Sequence, residues 1–231
     1  MSFSERSGEG YVYIESIDKD IRVKDISAAD LELLSRKNNN YKIGKGDQIA
    51  ITVWGLNEVF PIINVSPDSN LRRVDSNGNI FFPYVGTVQA AGKTQDELRE
   101  SITSELSKYF NDPQLDVSIA RFNSQKVYML GEVNMPIKIN ISDVPLSLSD
   151  ALGESKGLNN NTSSGSEVFV IRQGEDNQNP VIYRADLNSP SGFLVSGSFY
   201  LENNDIVYVN AKGTARWNRV ISQFFPFSSF F

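Results

Sequence analysis

DSNGNIFFPYVGTVQAAGKTQDELRESITSELSKYFNDPQLDV, spanning Asp75 to Val117, sets a turn, a strand, a helix start and a second strand in one unbroken run. Asp75-Ser76-Asn77-Gly78-Asn79 reads as a hairpin turn, because Asn-Gly readily takes the two positive φ values of a type I′ turn. It leads into Ile80-Phe81-Phe82-Pro83-Tyr84-Val85, where Pro83 lacks the amide a central ladder needs and so favours an edge or a bulge. Thr94 and Glu97 then stand at capping-box spacing, each able to satisfy an amide that a helix start leaves free. Leu98, Ile102, Leu106 and Tyr109 follow as a helical stripe, stopped by Asn111-Asp112-Pro113. Leu115, Val117 and Ile119 alternate as a strand. Strands around one helix predict a small α+β unit.

Reading outward from this run extends the unit. Upstream, Tyr41-Lys42-Ile43-Gly44-Lys45-Gly46-Asp47 looks like a turn feeding a strand from Ile49 to Trp54. Alternation there places Ile49, Ile51 and Val53 on one face. A first domain over residues 41–122 is expected. Residues 1–40 form a segment of their own, with a short strand at Tyr11 to Ile14 and a short helix at Ala28 to Arg36 led by Ser27. Asn38-Asn39-Asn40 reads as a linker.

Downstream, a second domain is expected over residues 123–211. Lys126 to Leu130 and Ile137 to Ile141 read as strands around Gly131 to Pro136. A helix should begin near Ser147 or Ser149 and run through Ala151, Leu152 and Ser155, with Gly157 as its C-cap. Asn159 to Ser166 reads as a polar loop, then Val168 to Arg172 and Val181 to Arg184 as strands separated by a loop. Phe199 to Val209 repeats a device of Tyr41 to Val53: an apolar approach, a Gly/Asn-Asp turn, then a strand. Two strands entered through the same turn chemistry, or a repeated module, would both give that pattern.

Residues 212–231 differ from the rest. After Thr214, Trp217, Val220, Ile221 and Phe224 fall at i, i+3, i+4 and i+7, an amphipathic helical pattern. Arg216, Asn218, Arg219, Ser222 and Gln223 occupy the other face. Five of the last eight residues are Phe, Phe225 and Phe227 among them, and no acidic residue follows Asp205. Burying one Phe is worth roughly 1.5–3 kcal/mol, so these rings should bury in something: this chain's core, another subunit, a partner or lipid. Basic residues beside Trp and Phe suit a membrane interface. Arg216, Trp217, Arg219, Val220, Ile221, Phe224, Phe225 and Phe227 are therefore the candidate membrane- or partner-binding residues.

Composition narrows the chemistry. The 231 residues carry 22 basic and 28 acidic side chains, a net charge of −6 that argues against a nucleic-acid partner. With no His and no Cys in the chain, Ser-His-Asp and Cys-His catalysis and a Cys-based zinc site are excluded. Gly44-Lys45-Gly46 precedes its strand and lacks the third glycine of a dinucleotide site, so no cofactor is expected. A two-carboxylate glycosidase would need a marked acidic pair, and none stands out. No secretory leader pattern occurs in residues 1–25, and no run of about 20 apolar residues occurs anywhere.

The ordered motifs resemble those of the bacterial outer-membrane polysaccharide export family. Tyr41 to Asp47 with Val53-Trp54, the Asp75 to Gly92 run with Phe82-Pro83-Tyr84-Val85-Gly86, and Asn111 to Val117 are similar to its export domain. Ser124 to Tyr128, Gly131-Glu132-Val133, Pro145-Leu146 and Asp150-Ala151 resemble an SLBB-type β-grasp domain. Ala215 to Ile221 resembles the amphipathic C-terminal helix of the family's capsule translocons. The resemblance implies an α+β chain of export domain, β-grasp domain and C-terminal amphipathic helix. It also implies a non-enzymatic subunit in the periplasm and outer membrane of a Gram-negative bacterium. Such subunits assemble as a homo-oligomeric, octameric ring that conducts capsular polysaccharide or exopolysaccharide and docks an inner-membrane polysaccharide co-polymerase. A monomeric periplasmic carbohydrate-binding module is the alternative reading.

Two departures bear on the tail. Longer members carry more than one β-grasp domain, and this sequence has room for one. Thr214 to Phe225 would rise only about 18 Å as a helix, against roughly 30 Å of hydrocarbon, and Pro226 breaks it. The tail is thus expected to lie in outer-membrane lipid at the interface, or to plug a separate outer-membrane β-barrel. The family's lipid-anchored Cys is absent from the sequence.

Overall fold

A computed structural model describes residues 9–14, 19–26, 41–56, 58–60, 71–174 and 180–212. Along the chain run β1 (Glu9–Ile14), β2 (Lys19–Asp25), β3 (Gln48–Trp54), β4 (Leu71–Arg73), β5 (Asn79–Phe82) and β6 (Gly86–Gln89). Helix α1 (Gln95–Leu106) and strands β7 (Gln114–Arg121), β8 (Lys126–Gly131) and β9 (Ile137–Asn140) follow. Then come α2 (Leu148–Glu154), β10 (Ser163–Arg172), β11 (Val181–Ala185), α3 (Pro190–Ser198) and β12 (Ile206–Ala211). They form two compact units: Asn39–Gln125 with Asn140–Val144, and Met1–Asn38 with Lys126–Ile139 and Pro145–Phe231. The mixture of sheets and helices is the α+β class that the sequence pattern predicts.

In the 39–125 unit, β3 is the middle strand of an antiparallel sheet ordered β4-β3-β7. Ile49 pairs with Ile119 and Ile51 with Val117, and all four side chains are buried. The period-2 pattern of both strands thus points one way, as two faces of one ladder must. Helix α1 starts as its capping box prescribes: Thr94 Oγ1 accepts the Glu97 amide at 3.2 Å, and Glu97 Oε2 accepts the Thr94 amide at 2.8 Å. Leu98, Ile102 and Leu106 are fully buried in one core with Ile43, Ile80 and Phe82.

Two expectations fail here. Tyr109 lies beyond the helix end, which Ser107 caps, and is 61% exposed rather than part of the buried stripe. Asn77-Gly78 is not a type I′ turn, because among its residues only Gly78, at φ 87°, is left-handed. Asp75 Oδ1 instead accepts the Asn77 and Asn79 amides, each at 2.8 Å, an Asx arrangement that needs one positive φ rather than two. That turn joins β4 to β5, which lie in different sheets. The paired hairpin is β5 with β6, reversed across Pro83 to Val85.

The other unit is built on a sheet ordered β1-β2-β11-β10-β12-β8-β9. Strand β10 is central, antiparallel to β11 and β12, and Val168, Phe169, Val170 and Ile171 are buried in succession. Burial on both faces explains why this strand is continuously apolar rather than alternating. Strand β12 runs parallel to β8, where Gly131, at φ 83°, lies so close to the Val209 backbone that a methyl group would overlap it. The N-terminal hairpin β1–β2 joins the same sheet, with β2 parallel to β11. Arg184 fastens that seam with a fork onto Asp25, at 2.6 Å and 2.9 Å.

Three readings of this unit need correction. Helix α2 begins at the expected Ser147 cap, but Lys156, at φ 63°, is its first left-handed residue and Gly157 the second. Gly157 donates to the Leu152 carbonyl at 2.8 Å and Lys156 to Gly153 at 3.0 Å, the paired bonds of a Schellman ending. Strand β10 begins at Ser163, inside the stretch expected to be a polar loop. Helix α3 is absent from the sequence reading, because Ser and Gly dilute its helical signal. Its start is nevertheless marked by Ser189 as cap and Pro190 in the first turn. The expected helix at 28–36, the Asn38–Asn40 linker and the C-terminal helix lie outside the described residues.

Candidate functional site

Three constructions in the described residues organise the surfaces these units offer. The first is a buried clasp on Asp47. Its Oδ2 accepts the Tyr41 hydroxyl at 2.8 Å, the Gly44 amide at 2.8 Å and the Ser124 hydroxyl at 3.0 Å. Its Oδ1 accepts the Asn123 amide at 2.7 Å and the Ser124 amide at 2.8 Å. One side chain thereby ties the first strand's entry to the segment after β7, 76 and 77 residues away. A side chain at Gly44 would collide with Ser124, so the glycine is what lets the two segments meet. Burial pushes the Tyr41 phenol pKa up; the Ser124 bond opposes this and Asp47 adds to it.

The second construction repeats the turn in the other unit. Asp205 Oδ2 accepts the Glu202 amide at 2.8 Å, as Asp47 accepts that of Gly44, and Asn204 and Gly46 supply positive φ at the same step. The device noticed in the sequence is therefore one turn geometry used twice. Here the partner is Arg172, whose Nε and Nη2 fork onto Asp205 at 3.0 Å and 2.7 Å. Nη1 reaches Glu202 at 2.9 Å, and the guanidinium stands 5.4 Å from the ring centroids of Tyr183 and Phe199. Burial raises the Asp205 carboxyl above its ordinary range, and the Arg172 fork opposes that rise. Burial works against the guanidinium charge too, but the two acidic partners leave its pKa above the usual value.

The third is a surface. Phe60 stacks on Phe82 with centroids 5.5 Å apart and meets Phe110 edge-on at 5.8 Å. Tyr84 lies over this base, 5.7 Å from Phe60, 5.2 Å from Phe110 and 5.8 Å from Tyr109. Tyr84 is 53% exposed and, like Tyr109, presents its ring to solvent. The sequence signals were Phe81-Phe82-Pro83-Tyr84 and Tyr109-Phe110. The first was read as strand and Tyr109 as the end of a helical stripe, so the cluster they form was missed. An open cleft of ≈ 560 Å³ lies beside the Asp47 turn, lined by Lys45, Gly46, Arg73, Val74, Asp75 and Ser76.

All eight residues singled out in the tail, Arg216, Trp217, Arg219, Val220, Ile221, Phe224, Phe225 and Phe227, lie outside the described residues. Among the described residues no helix is long and apolar enough to cross a membrane, and no acidic cluster could hold a metal ion.

Comparison with known proteins gives this arrangement a family. Residues 35–120 match the family of polysaccharide biosynthesis/export proteins, and residues 125–209 match the SLBB domain. The chain is 27% identical to the EPS I polysaccharide export outer membrane protein EpsA of Ralstonia solanacearum, over 85% of this chain and 78% of that protein. It is 28% identical to the capsule polysaccharide export protein BexD of Haemophilus influenzae, over 61% of this chain and 39% of that one. With the polysialic acid transport protein KpsD of Escherichia coli it shares 29% identity, over 67% of this chain and 26% of the relative. With an export-family match followed by an SLBB match and these similarities to polysaccharide export proteins, the chain belongs to the outer-membrane polysaccharide export family.

Proposed function

We propose that this chain is a non-catalytic ring subunit that conducts capsular polysaccharide or exopolysaccharide from the periplasm across the outer membrane. The observation that carries the reading is the export-family match followed by the SLBB match, in a chain similar to proteins named for polysaccharide export. We take residues 41–122 as the export domain and 123–211 as the β-grasp domain. Residues 1–40 are the N-terminal segment and 212–231 the tail. The ring, octameric by resemblance, docks an inner-membrane polysaccharide co-polymerase on its periplasmic side. The tail buries Trp217, Val220, Ile221, Phe224, Phe225 and Phe227 in outer-membrane lipid or a separate β-barrel, with Arg216 and Arg219 at the polar rim.

The test is complementation of a strain lacking the chain, scored by polysaccharide at the cell surface, together with native mass in mild detergent. The wild-type chain is expected to restore export and run as a closed ring. Phe224→Asp with Phe225→Asp should leave the chain in the soluble periplasmic fraction and abolish export. Unchanged membrane association and export in that variant would remove the tail from the mechanism. A monomer with and without detergent would favour a periplasmic carbohydrate-binding module instead.

A further inference from the structure

We infer that the exposed rings of Tyr84 and Tyr109, on their base of Phe60, Phe82 and Phe110, form a glycan-contact site against which the transported polysaccharide lies. The inference rests on the export reading and adds to it the place where the chain meets its cargo.

Rigidity is the first argument. Phe82 is almost wholly buried in the core, and Phe60 stacks on it with the ring planes 14° apart. Tyr84 packs edge-on to Phe110 at 81°, so the upper ring rests on a fixed foundation. Tyr84 itself holds φ at 66°, a left-handed conformation that L side chains other than Asn and Asp rarely adopt. A glycine would satisfy that turn without strain. A tyrosine kept there sets a ring at the hairpin tip at a conformational cost.

The chemistry of the surface comes second. Among the described residues neither the Tyr84 nor the Tyr109 hydroxyl has a hydrogen-bond partner, and both residues are more than half exposed. A pyranose has the complementary make-up, an apolar C–H face edged by hydroxyls. It can lie on an aromatic face and bond a phenol with its rim. The hydrocarbon interior of a membrane would be better served by aliphatic side chains, which carry no hydroxyl to satisfy.

Size separates a glycan from a protein partner. Two half-exposed tyrosines offer on the order of 200 Å², whereas a stable protein interface buries about 800 Å² from each partner. One or two sugar rings cover the smaller area. A weak contact also suits a conduit, because cargo that is held tightly cannot move on.

A photo-reactive benzoylphenylalanine placed at Tyr84 or at Tyr109 of the full chain tests this in cells that export polysaccharide. Irradiation should yield an adduct that stains for carbohydrate and collapses on periodate oxidation. The same probe at Glu100, exposed on α1, should yield none. An adduct to a second copy or another protein, equal carbohydrate labelling at Glu100, or no adduct from either tyrosine position would overturn the site. A second pair of variants guards against a probe that perturbs the fold. Tyr84→Asn with Tyr109→Ser should lower the export rate about tenfold at unchanged protein level. Tyr84→Phe with Tyr109→Phe, which keeps the ring faces, should recover most of it. Wild-type export in the Asn/Ser variant would refute the inference while leaving the export reading intact. A wild-type chain that fails to restore export would strike that reading, and this site with it.

Discussion

Replacing Asp47 by Ala should unfold the export domain's closure far more than the loss of one surface carboxylate would. In the native clasp the two carboxylate oxygens accept five hydrogen bonds, three from backbone amides and two from hydroxyls. Truncation leaves the Gly44, Asn123 and Ser124 amides without that acceptor. A buried donor stripped of its partner costs about 1–3 kcal/mol. Water entering the vacated space offsets part of this, so about 3–5 kcal/mol is expected in total. Asp47→Asn should cost less, about 1–2 kcal/mol. Its amide oxygen can still accept Asn123 and Ser124, and both hydroxyls can rotate to accept from its NH₂, leaving chiefly the Gly44 amide facing another donor. Tyr41→Phe removes a single donor and should cost about 1 kcal/mol. Urea unfolding combined with amide exchange at Asn123 and Ser124 measures all three. Those amides should lose protection first in the Ala variant. A change below about 1 kcal/mol for Asp47→Ala, or equal costs for Ala and Asn, would refute the clasp as the element that closes this unit.

Two further outcomes follow from the same reasoning. Arg172→Ala strands Asp205, whose side chain is 1% exposed, and should destabilise the SLBB unit by about 3–5 kcal/mol. Arg172→Lys should recover little of that, since an ammonium cannot reproduce the planar fork. A urea midpoint for Arg172→Ala close to wild type would show that the fork is dispensable. Because burial raises the Tyr41 phenol pKa, its contribution to stability is fully present below the unfolded value of about 10 and is lost as pH rises beyond it. Tyrosinate absorbance should therefore show Tyr41 titrating late, with Tyr41→Phe flattening the loss of stability above about pH 10. A wild-type curve as flat as that of the Phe variant would count against the linkage.

Much of this protein was legible before any coordinates, because its signals are local. Thr94 and Glu97 sit three residues apart, and the capping box they make needs nothing from the rest of the chain. The alternation of Ile49, Ile51 and Val53 follows from strand geometry and from having one face in a core. The family was readable for a related reason: its motifs are short, specific and in order. What failed was the reading of where a helix stops and of which distant edge a strand meets. Tyr109 continues the stripe in sequence but falls after the helix has ended, where no core faces it. Lys156 rather than Gly157 turns first out of α2, because the Leu152 and Gly153 carbonyls require both amides in that geometry. Nothing in residues 9–25 announces that β2 will lie parallel to β11, some 160 residues on, for such a pairing is chosen by the free edge it meets. Composition and periodicity thus determined the α+β class and the absence of His and Cys chemistry, and the resemblance of ordered motifs gave the order of the two domains. Only the tertiary structure brought Asp47 to Ser124 and Tyr84 to Tyr109, since such contacts arise when separate segments bury one common surface.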